Sequence, residues 1–196
     1  LFNTLECVNM LAINGGRNDI SAIVKSLSHI LRYVISRNTI VCIGEEIKAL
    51  ESYVEIQKAR FGDLFSVDFE LDTTLFGVGM IKFILQPVLE NAISHGMIHA
   101  KQGNGKILIT LSCYEEGVEF RIADNGAGIP PEKLKELKAA LISDSDEPVS
   151  SSGGIGLKNV YKRIALYYNG RGSFEIDSEP EKGTTVTIRL PFDIEI

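Results

Sequence analysis

Positive charge is in short supply in this sequence, cysteine is scarce, and long apolar runs are missing. Lys and Arg number 20 against 26 Asp and Glu, a net charge of -6. With no basic stripe, that argues against non-specific nucleic-acid binding. Cys7, Cys42 and Cys113 are odd in number and widely spaced. They make neither a disulfide framework nor a CxxC metal pair, which favours a reducing cytosol. No apolar run approaches the ~18–20 residues that a bilayer requires. The familiar phosphate loops are absent too. There is no GxxxxGK[ST], and Gly126-Ala127-Gly128 and Gly154-Ile155-Gly156 each lack the third glycine of a dinucleotide fingerprint. The loop at Asp124 lacks the alternating carboxylates of a calcium loop. What is present is an ordinary globular composition, 196 residues with 44% hydrophobic and 23% charged. The chain opens on LFNTL, without Met or signal peptide, and reads as a piece of something longer.

Two helical stretches come first, LFNTLECVNMLAI and DISAIVKSLSHILRYVI, separated at Gly15-Gly16. In the second, Ile20, Ile23, Val24, Leu27, Ile30, Leu31 and Val34 recur at helical spacing, and Asp19 is the expected N-cap. EEIKALESYVEIQKARF gives a third helix. Nothing strand-like is expected in the first sixty residues. These helices must bury their stripes against each other or against a second chain. From residue 61 onward the pattern changes: LFSVDFEL, KILITLSCYE, GVEFRIAD, SFEIDS and TTVTIRLPF alternate as strands, with helices at LQPVLENAISHG, EKLKELKAALI and IGLKNVYKRIALYYN. The expected architecture is therefore α+β, a two-layer α/β sandwich behind a helical hairpin segment. The boundary falls between residues 1–60 and 61–196.

Four short segments carry chemistry. On the LQPVLENAISHG helix, Glu90, Asn91, Ser94 and His95 share one arc. That arc suits a solvated face, a metal site or a pocket wall. Asp124 ends an apolar strand, so its carboxylate needs a donor, which an adenine amino group can supply. Gly126 and Gly128 permit a tight turn close to a flat base. Gly154 and Gly156 open a helix whose free N–H groups suit phosphates. Each piece alone also reads as a plain turn or helix start.

As a set, ENAISHG, DNGAGI, GGIGL and GTTVTIRLP follow the order of the N, G1, G2 and G3 boxes of the Bergerat-fold (GHKL) ATPases, which this sequence resembles over residues 64–192. The group includes gyrases, MutL proteins and histidine kinases. The resemblance implies that ATP and Mg²⁺ bind here. By it Asn91 is the metal ligand, Asp124 contacts adenine, and Gly126 and Gly128 shape the base pocket. Gly154, Gly156 and the adjoining Leu157 border the phosphates, Thr184 lies near the base, and residues 129–153 form the ATP lid. Residues 143–153, rich in Ser and Asp, are too polar to offset the entropy of ordering and are expected to move without nucleotide. Glu90 is a candidate for orienting a water or the attacking imidazole.

The first sixty residues resemble the LytS/YesM-like sensor histidine kinases, where PHFLFNTL and YLEIQKxRF are family patterns; QPVLENAISHG and GIGLKNVYKRI fit that family's boxes, adding Asn159 and Arg163. The resemblance implies the cytoplasmic part of a membrane-anchored bacterial homodimer, paired through its N-terminal helices. Such a kinase passes the γ-phosphoryl group of ATP to its own histidine and then to a response regulator. The family's acceptor histidine would stand two residues ahead of Leu1, and His29, His95 and His99 do not match it. Two rivals are a degenerate, non-catalytic nucleotide-binding regulator and a hydrolytic ATPase of the gyrase type. The latter places Glu where this chain has Pro87.

Overall fold

Helix-forming residues dominate the start of the chain, and the computed structural model, which describes residues 1–97, 105–143 and 154–193, folds them as three helices: α1 (Phe2–Asn14), α2 (Asn18–Ile35) and α3 (Ile43–Phe61). α1 stops where Gly16 takes a left-handed φ of 70°. Asp19 is not the N-cap of α2. The chain enters through Arg17, and Asp19 sits in the first turn, where its carboxylate meets the Arg17 guanidinium at 2.7 Å.

A second expectation fails as well, because a strand lies within the first sixty residues. β1 (Ile40–Cys42) leads straight into α3, whose Glu45 accepts a hydrogen bond from the Cys42 N–H at 3.1 Å. Two further strands follow, β2 (Phe65–Leu71) and β3 (Gly79–Ile81), and β3 pairs antiparallel with β1. Strands of three residues are too short to show an alternation.

Next come α4 (Leu85–Asn91), β4 (Gly105–Tyr114), β5 (Gly117–Asp124), α5 (Pro131–Ile142), α6 (Gly154–Tyr167), β6 (Ser173–Glu179) and β7 (Gly183–Pro191). Five strands form a mixed sheet in the order β2-β4-β5-β7-β6, with only β2–β4 parallel. Alternate residues point one way into the core: Ile107, Ile109 and Leu111 from β4, Val118, Phe120 and Ile122 from β5, Val186, Ile188 and Leu190 from β7. Helices cover that face, giving the two-layer sandwich. α3 contributes Ile43, Ile47, Leu50 and Val54 to the same core. Each such aliphatic side chain, fully buried, is worth ~1.5–3 kcal/mol.

α4 ends at Asn91 and widens into a π-helical segment, Ala92–Met97, that packs on β4, β5 and β7. Such wide turns tend to occur at functional sites, and the sequence pattern did not anticipate this one. Of the expected lid, residues 129–143 include α5, and residues 144–153, with the mobility expected of them, lie outside the described residues. No described helix is long and apolar enough to cross a membrane.

Candidate functional site

Asp124 is the last residue of β5, opposite Thr184 at the start of β7. Its Oδ1 accepts from the Gly126 N–H at 2.8 Å and the Thr184 N–H at 3.3 Å. Oδ2 meets no donor among the described residues and is not sealed from outside. Burial pushes the carboxyl above the usual aspartate range, and the two N–H donors pull part of the way back.

The loop after Asp124 is stitched down on both sides. The Asn125 N–H donates to the Lys106 carbonyl at 3.1 Å and the Lys106 N–H to Asn125 Oδ1 at 2.7 Å. The Glu181 N–H donates to the Ala127 carbonyl at 2.8 Å. Gly128 has φ 65°, and a Cβ there would fall 2.0 Å from the Glu179 carbonyl oxygen. Glycine is therefore required at 128 by the β6–β7 turn itself, whatever lies in the site. Gly183, with φ 100°, is held the same way, since its Cβ would lie 1.9 Å from the Asp124 carbonyl oxygen.

Ser178 organises the same corner. The Gly183 carbonyl at 2.8 Å can only accept, so it takes the single Ser178 proton. The Ile129 N–H at 2.8 Å then donates to Ser178 Oγ, and so must the Thr184 hydroxyl at 2.9 Å. Thr184 Oγ1, its proton so committed, offers only lone pairs to anything else.

On the other side, Asn91 Nδ2 donates to the Pro87 carbonyl at 2.7 Å, which turns Oδ1 away from the helix as an acceptor without a donor among the described residues. Gly156, in the first turn of α6, sits against this pair; a Cβ there would make ordinary contacts with Pro87 and, at 3.9 Å, with Asn91 Nδ2. Leu157 is buried beneath. Glu90 is exposed, takes a bond from Gln86 Nε2 at 3.0 Å and points along its own helix. Burial, helped by the nearby Glu90 charge, pushes Tyr53 up to about 12. The structure therefore brings Asn91 and Gly156 together, and separately Asp124, Gly126, Gly128 and Thr184. The π segment that follows Asn91 packs on β5, joining the two groups. The side chain of His95, His99 and the side-chain surroundings of Gly154 lie outside the described residues.

Sequence reasoning missed one residue of weight. Glu46 of α3 is 1% exposed, and its carboxylate accepts from the backbone N–H groups of Phe83, Ile84 and Leu85 at 2.9, 3.0 and 3.1 Å and from the Tyr33 hydroxyl. Burial pushes this carboxyl above its usual range against the pull of those donors. In the sequence it is one of two adjacent glutamates, and nothing there separates it from a solvated charge.

Known proteins resemble this chain over most of its length. The profile of the family described as "Histidine kinase-, DNA gyrase B-, and HSP90-like ATPase" matches residues 80–194, and that described as "Histidine kinase" matches residues 1–65. Sensor protein LytS of Staphylococcus saprophyticus is 31% identical over 158 residues, covering 80% of this chain and 25% of that protein. Sensor protein LytS of Bacillus subtilis is 28% identical over 97% of this chain and 31% of its own length. Sensor protein kinase HptS of Staphylococcus aureus is 28% identical over 97% of this chain and 36% of its own. The chain thus spans about a quarter to a third of these relatives. Among solved structures, the catalytic domain of histidine kinase ThkA superposes with a TM-score of 0.58 at 21% identity, over 78% of this chain and 94% of that one. The histidine kinase domain of a blue-light activated kinase from Erythrobacter litoralis gives 0.56 at 16% identity, over 93% and 84%. Both share the fold. With the first profile matching more than half of its residues, the chain belongs to the histidine kinase-, DNA gyrase B- and HSP90-like ATPase family, in its histidine kinase branch.

Proposed function

We propose that this chain is the catalytic portion of a sensor histidine kinase that binds Mg·ATP and delivers the γ-phosphoryl group to a histidine nitrogen, with ADP as leaving group. One observation carries the reading: Asp124 Oδ2 meets no donor among the described residues, while the donors around it, the Gly126, Ile129 and Thr184 N–H groups and the Ser178 and Thr184 hydroxyls, are already committed. An adenine amino group donates to Oδ2, and Thr184 Oγ1 is an acceptor beside the base. Asn91 Oδ1 holds the cation, and the first turn of α6 at Gly154 and Gly156 faces the phosphates. Among the described residues no three His, Cys, Asp or Glu side chains gather. One neutral amide therefore fits a Mg²⁺ whose other ligands are phosphate oxygens and water. When bound, Mg²⁺ neutralises charge on the phosphates during transfer. Glu90 lies within one residue of Asn91 and is proposed to orient the incoming imidazole. Within residues 1–60, α1 and α2 serve as the pairing surface of a homodimer. Leu11, Ile13, Val34 and Ile35 of α1 and α2 are 66%, 50%, 48% and 58% exposed, which suits a second copy. A response regulator as downstream partner and a membrane anchor elsewhere in the longer protein complete the reading.

Nucleotide titration by calorimetry tests it. Asp124→Asn keeps an oxygen for Gly126 and Thr184 but puts an NH₂ group where Oδ2 faces the base. ATP affinity should fall by ~1.5–3 kcal/mol, the range for a charge-assisted bond, or roughly 10- to 150-fold. GTP, which presents a carbonyl there, should bind the parent chain poorly; equal affinities for ATP and GTP would refute the assignment. The pH dependence has a defined sign. Oδ1 already accepts from two N–H groups, so a proton would go to Oδ2 and oppose the adenine amino group; affinity should drop as pH falls through a value above the ordinary 3.8. The stability of the nucleotide-free chain runs oppositely. Because the folded state holds the Asp124 proton more tightly than the unfolded one, that contribution is full below the unfolded value and is lost as pH rises through the folded one.

For Asn91→Ala, the gain in ATP affinity on adding Mg²⁺ should shrink by at least an order of magnitude, since even the outer partners of a metal site are worth about 10- to 100-fold. Metal-free binding should change far less. Equal losses with and without Mg²⁺ would make Asn91 a structural residue.

A further inference from the structure

α4 spans seven residues before the π segment continues it, and it carries Asn91 in its last position. Its first turn has Pro87, which has no N–H, and the preceding N–H groups of Phe83, Ile84 and Leu85 all converge on the buried Glu46 carboxylate. Phe83 reaches this arrangement in a left-handed conformation, φ 60°, that a phenylalanine rarely adopts. It is held there by other elements. Arg163 of α6 donates to the Phe83 carbonyl at 3.2 Å, and the Tyr33 ring of α2 meets the Phe83 ring edge-on at 5.1 Å. Lys82 Nζ donates to the Ser36 carbonyl just past the end of α2 at 2.6 Å, and the Ile81 N–H to the Tyr168 hydroxyl at 3.3 Å. Residues 81–85 are thus gripped by α2, α3 and α6 at once, and the grip ends on one carboxylate whose four partners all donate.

We infer that Glu46 is a positioning residue for Mg·ATP: by capping α4 it sets where Asn91 Oδ1 stands, and through Tyr33 it ties that position to α2. α2 thus meets the entrance to α4 through Tyr33, and the Ser36 carbonyl just past its end holds Lys82. The inference rests on the reading of Asn91 as the cation ligand.

The test uses the ratio of ATP affinities with and without Mg²⁺, a readout that a merely structural residue does not move. Glu46→Gln replaces one acceptor oxygen with an NH₂ group that opposes two of the four donors. The ratio should fall by about tenfold, the low end for an outer partner of a metal site, at a temperature where circular dichroism shows the variant folded. In an Asn91→Ala background the same change should have little further effect on the ratio, because the two act in series. Should Glu46→Gln not fold, Tyr33→Phe removes a single donor without adding an opposing one. It should lower the ratio by about two- to fivefold. An unchanged ratio in whichever of these variants folds, alongside its collapse in Asn91→Ala, overturns the positioning role and leaves the nucleotide reading standing. A ratio that survives Asn91→Ala as well brings down that reading and this inference together.

Discussion

Gly183→Ala should lower the melting temperature by about 6–12 °C, the equivalent of ~3 kcal/mol in a chain of this size. Two effects combine. A φ of 100° costs a side-chain-bearing residue ~1–3 kcal/mol. The new methyl would also sit 1.9 Å from the Asp124 carbonyl oxygen, where it cannot stay, so β7 must move away from the end of β5. That displacement takes the Thr184 N–H off Asp124 Oδ1, and ATP affinity should fall with stability. Gly170→Ala separates the two effects: it also has a positive φ, 74°, but nothing lies within 4 Å of a Cβ there. It should show backbone strain alone, ~1–2 kcal/mol, with nucleotide binding unchanged. Equal shifts for the two variants, read by thermal denaturation, would mean that contact with Asp124 plays no part.

With ATP labelled on the γ-phosphate, the 196-residue chain should bind nucleotide and yet acquire almost no acid-labile phosphate. Transfer needs an acceptor nitrogen in line and within about 3–3.5 Å of phosphorus. His29 is committed to the seam between α2 and α3, its Nδ1 3.1 Å from Ser52 Oγ, and burial lowers its affinity for a proton. His95 and His99 follow Asn91 by four and eight residues in the sequence and do not match the acceptor pattern. Joining a Pro-His-Phe segment ahead of Leu1 should bring labelling, and His→Gln in that segment should remove it. Stoichiometric labelling of the chain as it stands would make one of its own histidines the acceptor. An extended chain that stays unlabelled under every input would favour a non-catalytic regulator.

How far the sequence reaches depends on how local each signal is. β5 was readable because Val118, Phe120 and Ile122 alternate with polar residues, and a half-buried strand has no other way to appear. The loop glycines were readable because tight turns restrict residue type within a few positions. The necessity of Gly128 and Gly183 was not, since what fills their missing Cβ space is a carbonyl 51 residues away in the first case and 59 in the second. Glu46 was invisible for a similar reason, as three of its partners are backbone N–H groups, which leave no trace in residue identity. α2 is helical as its period predicts, but of the expected stripe only Val24 is buried in this chain: Ser21, Ser26 and Tyr33 are buried with it, while Leu27 and Val34 remain exposed. Serines on a packed face read as surface until their partners are known: Asn9 for Ser21 and Glu55 for Ser26.

The shared core of α3 and the sheet bears on how such proteins can be dissected or recombined. A break in the chain after Phe61 would carry away Ile43, Ile47 and Leu50 together with Glu46, and would strip β3 of its β1 partner. Met80, Ile81, Ile84 and Leu85, all fully buried, would then face water. A chimera that grafts foreign input helices onto this ATPase should therefore be spliced upstream of Ile40, so that α3 travels with the sheet as its covering layer.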